Sequence, residues 1–314
     1  MKQISSFREL TNEMLSLYTE GKYSDALELV EQMSDNFPEE GTRIAFWKMC
    51  LLSLCGRAEA VISVFQQGLD SGFWWSEVQF QDTDLDAVRD LPEFKHLVAV
   101  SQKKYQEVRM HIEPDYGVLL PDAQASGKYP LVVAVHGRNG NKNSHTEYWD
   151  IARQKGWLVL LAQSTQPLTS SSYGWDDATQ GLEDLLLYYG QVSRQYSIDP
   201  QRVIISGFSQ GGGMAIYTAL SGKIDASGWI AIASFYSDPA SLQPLMNDSP
   251  HLLGYFITGE KDRSLDNVRE VQKVLKENYI QFSEEVHPDL GHEFPQDFEK
   301  SFDKAIAFIF KEHE

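Results

Sequence analysis

Val203-Ile204-Ile205-Ser206-Gly207-Phe208-Ser209-Gln210-Gly211-Gly212-Gly213-Met214-Ala215 is the stretch that decides the fold. Three β-branched residues in a row predict a short buried strand. A Gly-x-Ser-x-Gly centred on Ser209 follows after the single residue Ser206, and Met214 to Leu220 predicts a helix. A serine between a buried strand and a helix stands on a turn too tight for side chains on either side, which accounts for Gly207 and Gly211. Its hydroxyl then lies at the helix N-terminus, where the backbone presents partial positive charge. A phosphate-cradling loop is excluded, because no Gly-Lys-Ser/Thr follows.

Outward from this turn, strand and helix alternate. Tyr116–Leu120 predicts a strand ended by Pro121, and Leu131–Val135 a central parallel strand, apolar throughout. His145–Lys155 predicts a helix, Trp157–Ala162 a buried strand, and Asp177–Tyr196 a long amphipathic helix. Beyond the turn come strands at Gly228–Ala233 and Tyr255–Thr258, a helix at Leu265–Asn278, an edge strand at Phe282–Val286 and a last helix at Asp297–Phe310. Such alternation predicts an α/β domain, a doubly wound and mostly parallel sheet with helices on both faces.

The first hundred residues predict helix instead. Gly21, Ala26 and Val30 keep the spacing of Gly56, Val61 and Phe65, thirty-five residues on. This is similar to a pair of tetratricopeptide helix–turn–helix repeats, with Gly ending one helix, a small residue letting two helices approach, and Pro38 ending the next. Two repeats cannot bury a continuous core alone. Leu27, Val30, Met33, Trp47, Val61, Phe65, Trp74 and Trp75 therefore need cover, from the second domain, from a second copy or from a protein partner. The polar stretch Ser101–Gln106 places the boundary near residue 105, giving an all-α domain over 1–104 and an α/β domain over 105–314.

A net charge of −18 argues against nucleic acid or an anionic membrane as the main partner. Cys50 and Cys55, five residues apart in one apolar helical stretch, predict buried structural thiols with no metal-ligand companions. No apolar leader and no run of about 18 apolar residues is evident, so the expectation is a cytoplasmic protein without a membrane span.

A serine hydroxyl is a poor nucleophile near neutrality and needs a base. Of the histidines after Ser209 (His251, His287, His292 and His313), His292 lies in a Gly-bounded loop between the last strand and the last helix, from which it can reach over the sheet edge. His287, followed by Pro, reads as structural, and His251 opens a strand at the wrong end. The acid that orients the imidazole is Asp262, directly past the Tyr255 strand, with Asp238 as runner-up and Asp266 in a helix-start role. The developing oxyanion needs two N–H donors: one is that of Gln210, the other that of Arg138, or alternatively Gly137, in His136-Gly137-Arg138-Asn139-Gly140. His136 reads as a brace for that loop. Tyr173, Trp175 and Phe294, with Phe208, Phe235 and Tyr236, are candidates for an aromatic substrate cleft.

His136-Gly137, Gly207-Phe208-Ser209-Gln210-Gly211-Gly212 with Met214-Ala215, Gly259-x-x-Asp262 and Gly291-His292 together resemble the phospholipase/carboxylesterase branch of the α/β-hydrolases, which includes acyl-protein thioesterases and dienelactone-hydrolase-like esterases. The resemblance covers about residues 112–312. It implies hydrolysis of small-molecule carboxylic esters or thioesters through an acyl-serine intermediate, without a cofactor or metal. The chain departs from that pattern at Arg138-Asn139, where these esterases often carry an apolar residue and a glycine. The competing expectation is a helical-repeat interaction protein carrying an inactive hydrolase fold, which has no reason to keep a complete Ser–Asp–His set.

Overall fold

A strand covered on both faces must be apolar at every position. Leu131–Val135 and Val203–Ile205 meet that demand and are wholly buried. The computed structural model describes residues 4–122, 127–248 and 252–311. The chain divides into two units, Met1–Ile112 with Pro167–Ser172, and Glu113–Gln166 with Tyr173–Glu314.

The first unit is helical: α1 (Phe7–Thr19), α2 (Tyr23–Met33), α3 (Gly41–Leu54), α4 (Ala58–Asp70), the short α5 (Asp86–Arg89) and α6 (Pro92–Met110). The Ser6 hydroxyl caps α1 by accepting from the Glu9 N–H at 3.2 Å. Gly21 and Gly56 turn the chain between paired helices at φ 73° and 71°, a conformation that costs a glycine little. Ala26, Val30, Val61 and Phe65 are fully buried. Their cover comes in large part from the same unit, a solution the sequence reading did not foresee. The Phe65 ring lies 5.5 Å from Trp75, 5.2 Å from Phe80 and 5.4 Å from Phe94, so the segment that follows the two helix pairs closes their core. Segment Pro167–Ser172 belongs here too: Ser76 N–H donates to the Leu168 carbonyl at 2.8 Å and Ser170 N–H to the Trp74 carbonyl at 3.0 Å. The polar stretch around residue 105 lies inside α6, and the units part at Ile112; Ser101 is fully buried, its hydroxyl accepting from the Trp75 N–H and donating to the Trp75 carbonyl, each at 2.8 Å. Cys50 is buried, whereas Cys55 is only half-buried.

The second unit runs β1 (Tyr116–Leu119), β2 (Tyr129–Val135), α7 (Thr146–Gln154), β3 (Leu158–Ala162), the two-residue β4 (Gln166–Pro167), of which only Gln166 belongs to this unit, β5 (Tyr173–Gly174), α8 (Ala178–Gln195), β6 (Ile198–Phe208), α9 (Gln210–Leu220), β7 (Gly228–Ile232), β8 (Leu253–Gly259), α10 (Leu265–Glu277), β9 (Gln281–His287) and α11 (Phe298–Phe310). The main sheet has the order β1-β3-β2-β6-β7-β8-β9. β1 is antiparallel to β3, and the other pairs are parallel. Side chains alternate between faces as the pleat requires. Leu131, Val133 and Val135 pack with Leu182 and Leu185 of α8 and Ala215 and Ile216 of α9. Val132 and Ala134 pack with Trp149 of α7 and Phe298 and Phe302 of α11. From β2 the chain first builds outward to β3, then returns to β6 on β2's other side. The carboxyl ends of β2 and β6 are therefore a topological switch point, the place where such sheets bind ligands. Among the described residues no helix is long and apolar enough to cross a membrane.

Candidate active site

Parallel register brings the pieces together. Val135, the last residue of β2, pairs with Gly207 of β6, so the loop after β2 lies beside the turn that carries Ser209. Ser209 sits at φ 54° and ψ −124°, a strained conformation for a residue with a Cβ. Several bonds hold it there. Its N–H donates to the Ile232 carbonyl at 2.9 Å, and its carbonyl accepts from the N–H groups of Gly212 at 2.9 Å and Phe235 at 3.0 Å. A Cβ on Gly207 would run into the Gly211 carbonyl, and one on Gly211 into the carbonyls of Val135 and His136. The tight turn thus dictates both flanking glycines.

Three predicted side chains form one hydrogen-bonded row. Ser209 Oγ lies 2.9 Å from His292 Nε2, and His292 Nδ1 lies 2.8 Å from Asp262 Oδ1. Asp262 follows β8 and His292 follows β9, adjacent parallel strands whose ends coincide at Gly259 and His287. The Asp262 side chain is fully buried. Burial alone would raise its pKa, but hydrogen bonds from His292 and from the Ser264 backbone and hydroxyl outweigh it and hold the carboxyl below its ordinary range. Both Ser264 donors lie 2.7 Å from Oδ1. Sequence reading missed Ser264. It is the residue preceding α10, a place where a serine normally caps its helix, yet its hydroxyl goes to Asp262 instead.

The other candidates lie elsewhere. Asp238 is exposed, and its carbonyl accepts from Ser241. Asp266 is exposed in the first turn of α10. His287 Nε2 lies 3.2 Å from Ser301 Oγ. His251 and His313 lie outside the described residues.

On the β2 side, His136 is buried with Nδ1 2.8 Å from the Gly137 carbonyl. Nδ1 therefore carries the proton, and Nε2 accepts from the Ser164 N–H at 3.3 Å. Burial pushes this imidazole down to about 4, only partly opposed by the Gly137 bond. The His136 carbonyl accepts from Trp175 Nε1 at 2.9 Å. A braced loop results, in which the backbone N–H of Arg138, like that of Gln210 at the start of α9, has no hydrogen-bond partner among the described residues. The Arg138 guanidinium donates from Nε and Nη2 to the two oxygens of Asp176, each at 3.3 Å.

The aromatic candidates divide. Trp175 and Phe294 are each only 3% exposed, so they offer little surface to a substrate. Trp175 packs on His136 with ring centroids 5.0 Å apart, and Phe294 stacks on Tyr148 at 4.1 Å. Tyr173 is half-buried. Phe208 is half-buried 5.0 Å from the His292 ring, and Phe235 is exposed one peptide bond beyond Ser234. In the helical unit, ligand atoms of Cys50, Asp82 and Asp84 lie within 4.8 Å of one another, companions for Cys50 that its spacing did not reveal. Burial pushes the Cys50 thiol well up and keeps it protonated, which makes it a poor metal ligand. Asp84 already accepts from the Tyr18 hydroxyl at 2.9 Å.

With this geometry in view, comparison with known proteins gives consistent results. Residues 152–312 match the family model described as Phospholipase/Carboxylesterase, and residues 6–109 match one described as A/B hydrolase-like, N-terminal domain. A Bacillus cereus ATCC 10987 protein described as uncharacterized, solved as a crystal structure, is 25% identical, with 98% of this chain and all of that chain covered at a TM-score of 0.55. Esterase PE8 is 18% identical, covers 64% of this chain and 99% of its own at a TM-score of 0.54, and is similar in fold. The bifunctional acetylxylan esterase/xylanase XynS20E of Neocallimastix patriciarum is 30% identical over 95 residues; the match takes in 29% of this chain and only 14% of that protein.

Proposed function

The chain belongs to the phospholipase/carboxylesterase family of α/β-hydrolases, and on that premise we propose that it is a serine esterase that cleaves carboxylic esters or thioesters through an acyl-serine intermediate on Ser209. The observation that carries the proposal is the continuous row from Ser209 Oγ through His292 to Asp262, with links of 2.9 and 2.8 Å. His292 Nε2 takes the hydroxyl proton as Oγ attacks the substrate carbonyl carbon. The carbonyl π pair moves to oxygen, which the N–H groups of Gln210 and Arg138 receive. Collapse expels the alcohol or thiol, protonated by His292, and leaves the acyl group on Ser209. Water activated by the same imidazole then releases the acid. Asp262, ionised and buried, holds the Nδ1–H tautomer and balances the imidazolium.

Of the aromatic candidates, exposed Phe235 and half-buried Phe208, Tyr173 and Tyr236 keep surface that a substrate could use. Acetyl esters are the first substrates to try, by analogy with the acetylxylan esterase named above. The inactive-fold alternative requires no ionised acid behind the histidine, and the hydrogen bonds gathered on Asp262 speak against it. Hydrolysis of p-nitrophenyl acetate and of an acyl-thioester tests the proposal. Ser209→Ala should lower kcat by about 10⁴ or more with the fold intact; undiminished activity in that variant would end the proposal.

A further inference from the structure

We propose that Asp176 is a positioning residue of the oxyanion hole, tying together the two residues whose backbone N–H groups form it. This rests on the assignment of Arg138 and Gln210 made above. The two donors lie past the ends of different strands, Arg138 in the loop after β2 and Gln210 at the start of α9 after β6, so nothing in either segment alone fixes their spacing. The Gln210 side chain is pinned at both ends by the intervening loop: Oε1 accepts from the Trp175 N–H at 2.9 Å, and Nε2 donates to Asp176 Oδ1 at 2.7 Å. The same carboxylate accepts Nε and Nη2 of Arg138. One side chain thus joins both halves of the hole.

Asp176 is itself held on either side. Trp175 donates from Nε1 to the His136 carbonyl, at the root of the Arg138 loop. Asp177 donates its N–H to Gln166 Oε1 at 2.7 Å and caps α8 by accepting from Thr179 and Gln180. The Asp176 side chain is 51% exposed, so its ion pair contributes little to folding. A rigidly mounted carboxylate of small value to stability, joined to both donor residues, fits a role in spacing those donors. Arg138 balances its charge, which would otherwise oppose the developing oxyanion.

The test compares wild type with Asp176→Ala, Asp176→Asn and Ser209→Ala on p-nitrophenyl acetate, and measures inhibition by an arylboronic acid, whose tetrahedral serine adduct places an oxygen in the hole. Asp176→Ala should lower kcat about tenfold with KM within about twofold, because small misplacements cost rate rather than ground-state binding. Boronate affinity should fall by the same factor as kcat/KM, and Tm should stay within about 2 °C. Asp176→Asn keeps an acceptor for Gln210 and should recover most of the loss. Wild-type kcat and boronate affinity in Asp176→Ala would overturn the inference, as would a loss confined to KM or matched by loss of folded protein. An inactive Ser209→Ala beside an unimpaired Asp176→Ala removes the positioning role alone. An active Ser209→Ala removes the hydrolase proposal itself.

Discussion

Lowering the pH from 7.5 to 4.5 is expected to cost the fold on the order of 2–3 kcal/mol through His136 alone. The imidazole is buried, donates from Nδ1 to Gly137 and accepts at Nε2 from Ser164, so a second proton finds neither solvent nor an acceptor. Its pKa lies at about 4 in the folded chain against an ordinary 6.5. As the pH falls through 6.5 the unfolded chain binds a proton that the native chain refuses. Stability is therefore full above 6.5 and is lost at a slope approaching about 1.4 kcal/mol per pH unit until the native imidazole titrates near 4. Asp262 acts in a separate, lower window. Its depressed carboxyl stabilises the fold above the ordinary value of 3.8, and that contribution is lost as pH falls through the folded value below it. Urea unfolding of wild type and His136→Gln at pH 7.5, 6.5, 5.5 and 4.5 isolates the histidine. The advantage of wild type over the variant should shrink by on the order of 2–3 kcal/mol across the series. An advantage independent of pH would refute a buried, neutral His136.

Asp262→Asn should cut kcat by about 10⁴ while Asp238→Asn leaves it unchanged, as steady-state rates on p-nitrophenyl acetate will report. Ser264→Ala removes one donor from the Asp262 carboxylate and should cost about 1.5–3 kcal/mol in urea unfolding at pH 7; with Asp262 less depressed, acid unfolding should begin at higher pH than in wild type. Gly211→Ala forces a methyl group onto the Val135 and His136 carbonyls, and should lower stability by about 1–3 kcal/mol and esterase rate more than proportionately.

The parallel sheet and the serine turn were legible because both are written locally. Val203–Ile205 is β-branched at all three positions and reads as a buried strand, and a Gly-x-Ser-x-Gly beginning two residues on fits the strand–turn–helix geometry. Asp262 and His292 were legible from position, each being a loop residue directly past a predicted strand. What was missed depends on contacts between distant residues. Asp176 meets Arg138 thirty-eight positions away and Gln210 thirty-four away, and no local pattern signals either bond. Trp175 and Phe294 were expected to line a cleft and are instead nearly buried, because an aromatic ring serves core and lining equally well and only tertiary packing separates the two. β6 begins at Ile198 rather than Val203: Pro200 interrupts the apolar pattern, and the strand passes it where its register against β2 shifts. The cover over the N-terminal helices lies in Trp75, Phe80 and Phe94, beyond the repeat spacing that drew attention to those helices.

The central claim is that Ser209 is the nucleophile, and a fluorophosphonate tests it without knowledge of the natural ester. The phosphorus centre reacts with a serine only when a neighbouring base takes the proton and an oxyanion hole receives the charge. Intact-mass spectrometry followed by peptide mapping should find one phosphonyl adduct, on Ser209, in wild type, and no adduct in folded Ser209→Ala. Labelling of Ser209→Ala to the same extent, or ester hydrolysis by a wild-type protein that never labels at Ser209, would contradict the account.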